Sequence, residues 1–288
     1  MKRLSDGMEA LAPERISSAQ NPKIKKLLEL QAKSKMRRET GLFVLEGRRE
    51  IEHCIASGFR VDSLFVCREI FGTGSLPECN GGIFEVTPQI YDKLAYRGGT
   101  EGIIAEVESK AATLDSLEKT LYSSEKNGNG GSAKPLVVVL EAVEKPGNLG
   151  AVLRSADAAG ADAVIVCDPL TDIYNPNLIR ASIGAVFTVP VVACSSAEAM
   201  FFLKTRGFAI LTAQLQDSDL YYDVDMTGPV AIVMGTESTG LTPLWREAAS
   251  AHIRIPMLGR LDSLNVSVSA AILLFEAVRQ RQNNRKEH

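Results

Sequence analysis

The chain is poor in the residues from which most metal centres and nucleophilic active sites are built. It has three histidines, His53, His252 and His288, and none belongs to an HExxH pattern. That argues against a helix-borne zinc site and against a histidine-based catalytic triad. Its five cysteines, Cys54, Cys67, Cys79, Cys167 and Cys194, are odd in number and include no CxxC pair. A disulfide framework and a cysteine-ligated metal are therefore not expected. No apolar run approaches the ~20 residues of a membrane-spanning helix. Neither GxGxxG nor GxxxxGK[ST] occurs, so the dinucleotide fingerprint and the P-loop are both missing, and a nicotinamide-dependent oxidoreductase is disfavoured.

What remains is the composition of an ordinary soluble protein. With 45% hydrophobic and 23% charged residues there is enough apolar material for a real core, and 288 residues suggest two domains. The first residues, MKRLSDGMEALAPER, contain no apolar stretch of the secretory kind, so a cytoplasmic location is expected. The net charge of −3 conceals an uneven distribution. Between Arg15 and Arg49 stand ten Lys or Arg against Glu29, Glu39 and Glu46. A basic face on a mildly acidic chain suits phosphate backbone contacts, and it equally suits a solvated helix surface.

The order of apolar and polar segments gives an α/β chain in two parts. Residues 1–14 read as a leader and 15–109 as a small α/β domain. Asn21 and Pro22 predict a helix start, with Ile24, Leu27, Leu28 and Leu30 as its apolar stripe. Residues 110–134, rich in Ser, Asn and Gly, read as a linker with one short helix. Residues 135–288 form the second domain. Its run LVVVL at 136–140 predicts a strand buried on both faces of a parallel sheet. Further strands are expected at 163–167, 208–213 and 230–234, with an extended piece at 189–192. Helices are expected at 149–159, 177–186, 197–205 and 264–283.

Three segments of the second domain follow predicted strands, where ligands of open α/β sheets bind. In the first, Asn148 precedes a helix that carries Arg154 in a largely apolar setting. Asn148 suits a cap. Arg154 suits either an ion pair or a phosphate or ribose contact. In the second, Gly235 and Gly240 permit a tight turn around Glu237. The third runs from Ile255 through Gly259 to Ser263, Leu264 and Asn265, immediately before the last helix. Ser263 or Asn265 can cap that helix, or the same polar groups and free backbone N–H groups can face a ligand. The three loops contain no obvious nucleophile–base pair. Such a site fits a reaction whose leaving group is already activated on a cofactor, leaving positioning and electrostatics to the protein.

Taken together, Asn148-x-Gly150-x-x-x-Arg154, Gly235-x-Glu237-x-x-Gly240 and Ile255-Pro256-Met257-x-Gly259-x-x-x-Ser263-Leu264-Asn265-Val266-Ser267 resemble the ordered motifs of the SpoU/TrmH family. These are RNA ribose 2′-O-methyltransferases that use S-adenosylmethionine. The segment LFEAVRQR from Leu274 resembles the family's last helix. GLFVLEGR from Gly41 resembles the substrate-binding domain often attached to it, which is similar to a ribosomal-protein-type RNA-binding fold. Where many relatives end that domain with a Thr-Pro-Gln-Gly segment, this chain has GGTEGIIA from Gly98.

The resemblance implies a parallel-sheet SPOUT catalytic domain threaded as a trefoil knot, an exception to the rule that chains are unknotted. It implies S-adenosylmethionine as cofactor, lined by Gly235, Ile255 and Leu264, with Met257, Thr212 and Met234 nearby. It implies a homodimer in which Arg154, reaching in from the partner subunit, activates the ribose hydroxyl. Asn148, Glu237, Ser263 and Asn265 take the remaining catalytic positions. Neither a metal nor a membrane is implied. Ribosomal RNA of the 23S type is the expected substrate. A tRNA methyltransferase and a catalytically inactive RNA-binding relative are the alternatives.

Overall fold

The computed structural model describes residues 14–96, 101–110, 112–122, 134–236, 238–261 and 263–284. Residues 1–13 of the expected 1–14 leader, Ala111 and 123–133 of the linker stretch, residues 97–100, Glu237, Asp262 and 285–288 lie outside them, while Glu14 opens the first strand. The chain divides into two compact units between Ser109 and Lys110.

The first unit runs through β1 (Glu14–Ile16), α1 (Pro22–Ala32), α2 (Ser34–Thr40), β2 (Leu42–Glu46), α3 (Arg48–Ala56), β3 (Val61–Val66), α4 (Arg68–Phe71), β4 (Ile83–Val86), α5 (Pro88–Leu94) and β5 (Ile103–Glu108). Its strands form one mixed sheet in the order β1-β4-β3-β5-β2. β1, β4 and β3 are parallel, and β5 runs antiparallel to both β3 and β2. α1 begins where Asn21 Oδ1 accepts the Lys23 amide at 2.9 Å, with Pro22 in the first turn. Its stripe Ile24, Leu27 and Leu30 is fully buried against Val44, Phe65, Tyr91 and Ile104.

Much of the basic stretch has local work to do. Lys26 reaches the buried Glu106 carboxylate at 2.9 Å. Arg37 is buried and donates to the carbonyls of Leu30 and Gln31. Lys23, Lys33 and Arg48 pair with Glu14, Glu29 and Glu52. Lys25, Arg38 and Arg49 are exposed.

The second unit contains α6 (Leu114–Leu121), β6 (Leu136–Glu141), α7 (Pro146–Ala159), β7 (Ala163–Cys167), α8 (Pro176–Ser182), α9 (Ala185–Thr188), β8 (Val191–Cys194), α10 (Ser196–Thr205), β9 (Ala209–Ala213) and β10 (Asp219–Leu220). After a 3-10 turn at Tyr221–Asp223 come β11 (Val230–Met234), α11 (Pro243–Ala248), β12 (Ala251–Arg254) and α12 (Val266–Asn284). All seven strands are parallel, in the order β10-β12-β9-β11-β6-β7-β8.

β6, β7 and β11 are buried along their whole length, which is why their sequences are continuous apolar runs instead of alternating ones. One face, carrying Val137, Val139, Ile165, Ile210 and Val233, packs under Leu117 of α6, Phe202 and Leu203 of α10 and Trp245 of α11. α8, α9 and α12 pack on α7, α8 also on α9, with α7 touching β7 and α12 touching β11.

Several elements differ from the sequence-based expectation. α7 starts at Pro146, three residues early, because proline occupies the first turn without loss. Asn148 is therefore inside the helix and not its cap. The single helix expected at 177–186 is two helices, broken where Ile183 and Gly184 take φ of +51° and +88°. α12 starts at Val266, because Asn265 Oδ1 accepts the Ser267 amide at 3.0 Å and its hydroxyl at 2.6 Å. β12 and α11 were not foreseen.

Candidate active site

The carboxyl ends of β9, β11 and β12 converge on a cavity of 420 Å³, a size typical of small-molecule sites. Met234 and Gly235 enter from β11, Ile255 and Met257 from the segment after β12, and Ser263 and Leu264 from the approach to α12. Three loops distant in sequence thus meet because their strands are neighbours or next neighbours in the sheet.

The β11 loop is a tight, self-bonded turn. Thr236 O accepts the Gly240 amide at 3.1 Å, and Thr236 Oγ1 accepts the Thr239 amide at 3.0 Å. Gly240 has φ +68°, and a Cβ at Gly235 would stand 2.3 Å from the Gly240 carbonyl carbon and oxygen. Only glycine lets the two ends of the turn touch.

Behind the turn, Glu141 closes β6 as a buried carboxylate. It accepts the Thr242 amide at 2.9 Å and the Thr242 hydroxyl at 2.7 Å. Ser196 Oγ lies 3.3 Å from it and accepts Trp245 Nε1 at 3.1 Å. The start of α11 is therefore tied to the end of β6.

A smaller cavity of 120 Å³ shares Gly235, Thr236, Ser238 and Val266 with the first and adds Glu144, Lys145 and Asn148. At its edge Asn265 Nδ2 donates to Asn148 Oδ1 at 3.1 Å. This bond joins the first and third sequence motifs across the two cavities.

Of the residues singled out from sequence, Met234, Gly235, Ile255, Met257, Ser263 and Leu264 line the larger cavity, and Asn148 the smaller. Thr212 does not line either. It is fully buried, with Oγ1 2.6 Å from His252 Nδ1, and its successors Ala213 and Gln214 form the wall instead. Arg154 is exposed in the third turn of α7 and is absent from both linings. Glu237 lies outside the described residues.

Sequence reasoning missed Gln214, Arg246 and Glu141. Gln214 follows β9 directly, and that position at a parallel strand's carboxyl end was the available signal. Gln214 donates to the Gln216 carbonyl at 2.9 Å, while its Oε1 is buried without a hydrogen-bond partner. Among the described lining residues the charged ones are Arg246 and Arg254. The walls thus combine apolar surface, an unpaired amide acceptor, a turn closed by two glycines that also carries the Thr236 and Ser238 hydroxyls, and two cations.

A parallel α/β unit whose strand-end loops close on such a cavity has the construction of a cofactor-dependent group-transfer enzyme. Comparison with known proteins narrows this. Residues 135–275 match the SpoU rRNA Methylase family, and residues 21–105 match the MRM3-like substrate binding domain. The chain is 35% identical over 238 residues to the 23S rRNA (guanosine-2′-O-)-methyltransferase RlmB of Vibrio parahaemolyticus, covering 82% of this chain and 91% of that protein. It superposes on the crystal structure of an RNA 2′-O ribose methyltransferase with a TM-score of 0.75 at 39% identity, over 93% of this chain and 99% of the other. An AdoMet-bound rRNA methyltransferase from Sinorhizobium meliloti gives a TM-score of 0.79 at 27% identity, over 92% and 97%. The chain belongs to the SpoU rRNA methylase family.

Proposed function

We propose that this protein is a cytoplasmic enzyme that methylates a ribose 2′-hydroxyl in ribosomal RNA of the 23S type, with S-adenosylmethionine as methyl donor. The observation that carries this reading is the 420 Å³ cavity assembled from the second and third motifs, tied at its edge to the first by the Asn265–Asn148 bond. The cavity's own atoms suit the cofactor. Gly235 and Gly240 present backbone without a Cβ to the cavity, which leaves room for a flat ring beside Met257 and Leu264, and the unpaired Gln214 Oε1 is an acceptor for an amino group.

Bound, the cofactor supplies a methyl group on a positively charged sulfur. The protein's part is alignment and control of the hydroxyl proton. A ribose hydroxyl is a weak nucleophile, so its proton must be removed or its developing charge stabilised. Asn148, Ser263 and Asn265 stand at the cavity edge as hydrogen-bonding groups for the ribose and the cofactor. Glu237, between Thr236 and Ser238 in sequence, is assigned to the same polar set by its place in the second motif. Arg154 stabilises the developing oxyanion, since arginine keeps its proton.

We place Arg154 in the site of a partner subunit, because in its own chain it is exposed and outside the cavity linings. The exposed apolar residues Val268 and Phe275, two turns apart on one side of α12, support a homodimer built on that helix. The insertion of β12 between β10 and β9 supports the family's knotted threading. The first unit, with exposed Lys25, Arg38 and Arg49, delivers the RNA.

The test mixes two inactive variants, Arg154→Ala and Gly235→Trp, after reversible dissociation. Mixed dimers then hold one complete site, and about a quarter of wild-type transfer of labelled methyl to ribosomal RNA is expected from random pairing. No recovery from a mixture shown to contain mixed dimers rules out Arg154 acting across the interface. Labelling of tRNA in place of ribosomal RNA moves the substrate to the other class.

A further inference from the structure

Arg246 has no part in the reading above, yet it stands in the wall of the same cavity. It lies in α11, with Nη2 3.7 Å from where a Gly240 Cβ would be. Its guanidinium therefore covers the outer side of the glycine turn. Among the described residues it has no carboxylate, carbonyl or hydroxyl partner for its side chain. The other cation of the lining, Arg254, is engaged: its Nη1 lies 3.4 Å from Ser218 Oγ. No Asp or Glu is found among the described lining residues.

The backbone that carries Arg246 is held firmly. Trp245, the preceding residue, is fully buried and bonded to Ser196, and Thr242 is bonded twice to Glu141. Arg246 itself is exposed, so its guanidinium, on a fixed backbone at the cavity rim, is free to pair with a planar anion brought into the cavity. The anion it meets belongs to the molecule that fills the cavity.

We propose that Arg246 binds the α-carboxylate of the methyl donor. The proposal rests on the reading that S-adenosylmethionine occupies this cavity. That cofactor carries one anionic group, the carboxylate, beside an ammonium and a sulfonium. With its carboxylate paired to Arg246, the donor would be held along the remaining lining, where Met257, Leu264 and Leu273 offer apolar surface. Arg246 is then a cofactor-binding residue that fixes the direction in which the donor lies.

Calorimetry on the full chain separates the alternatives. Wild type and Arg246→Gln are titrated with S-adenosylmethionine, with S-adenosylhomocysteine and with decarboxylated S-adenosylmethionine. The variant is expected to bind the first two about tenfold to a hundredfold more weakly, the range of a lost charged hydrogen bond, and the decarboxylated compound as wild type does. Arg246→Lys, which keeps the charge and loses the fork, is expected to fall between. Equal loss for all three ligands assigns the effect to the wall itself and overturns the proposal, as does unchanged binding of S-adenosylmethionine. Weakened binding of an RNA fragment with cofactor affinity intact also overturns it, in favour of a phosphate contact. If wild type binds none of the three compounds, the cofactor reading falls and this proposal with it.

Discussion

Replacing Glu141 removes the link between β6 and the start of α11. Its carboxylate is buried, 3% exposed, and takes two hydrogen bonds from Thr242 at 2.9 and 2.7 Å. A hydrogen bond to a charged group contributes about 1.5–3 kcal/mol, so two give an upper figure near 6 kcal/mol. Thr242 itself is exposed, and water replaces much of what its donors lose. The burial cost of the carboxylate is also relieved. We therefore expect Glu141→Ala to destabilise the second unit by about 2–3 kcal/mol. Glu141→Gln should lose only about 1 kcal/mol, because its oxygen still accepts the amide while its NH₂ donates to the Thr242 hydroxyl.

The chain supplies its own reporter for this test. Trp245 is its single tryptophan, fully buried and one turn into the affected helix. Urea unfolding followed by tryptophan fluorescence reads the second unit directly. Calorimetry with S-adenosylmethionine should show weaker binding by Glu141→Ala, since the Gly235–Gly240 turn loses the anchor on its far side. Both variants within about 0.5 kcal/mol of wild type, the scatter of neutral surface changes, would refute the reasoning.

Two further outcomes follow from the same region and from α12. Gly235→Ala forces a methyl group against the Gly240 carbonyl, 2.3 Å away, and should weaken cofactor binding about tenfold to a hundredfold, the equivalent of roughly 1–3 kcal/mol of overpacking; unchanged affinity by calorimetry would mean the turn yields freely. Glu276 is bonded to Arg279 at 2.7 and 2.8 Å and to Gln280 at 2.8 Å, and chiefly the Arg279 guanidinium holds its carboxyl below the ordinary value of 4.5. A lowered carboxyl stabilises the fold above the ordinary value and ceases to do so as pH falls through the folded one. Glu276→Gln should therefore melt lower at neutral pH and show a flatter decline in melting temperature on acidification; an unchanged acid limb would count against the pairing.

The elements legible in the sequence are those whose burial is local in origin. LVVVLE at β6 and VAIVM at β11 announce themselves because a strand covered on both faces must be apolar throughout. The α1 start is equally plain from Asn21 and Pro22. β12 is not, because AHIR is short and half polar, and its place in the sheet comes from β9 and β10, not from its own sequence. α11 is six residues long and carries its meaning in one buried ring, Trp245. The break at Ile183 is hidden because a β-branched residue at positive φ is the opposite of what its type favours. In the cavity, the second and third motifs supply lining residues after β11 and β12, whereas Ala213 and Gln214 at the end of β9 belong to no motif and become visible only once β9 is seen between those two strands. Arg246 escaped notice because its relevance depends on how α11 folds back over the Gly240 turn, a contact that no spacing reveals.

The place of β12 between β9 and β10 also bears on how the chain is made. β9 ends at Ala213, and the strand that completes its outer edge ends at Arg254, roughly forty residues later. At about 5–20 residues per second of synthesis, that edge stays open for on the order of 2–8 seconds on the ribosome. β10 cannot take its final place in that interval, because the strand it pairs with does not yet exist. An open parallel edge is a template for unwanted pairing. The same late strand that builds the cavity wall therefore makes the order of emergence from the ribosome part of how the site is assembled.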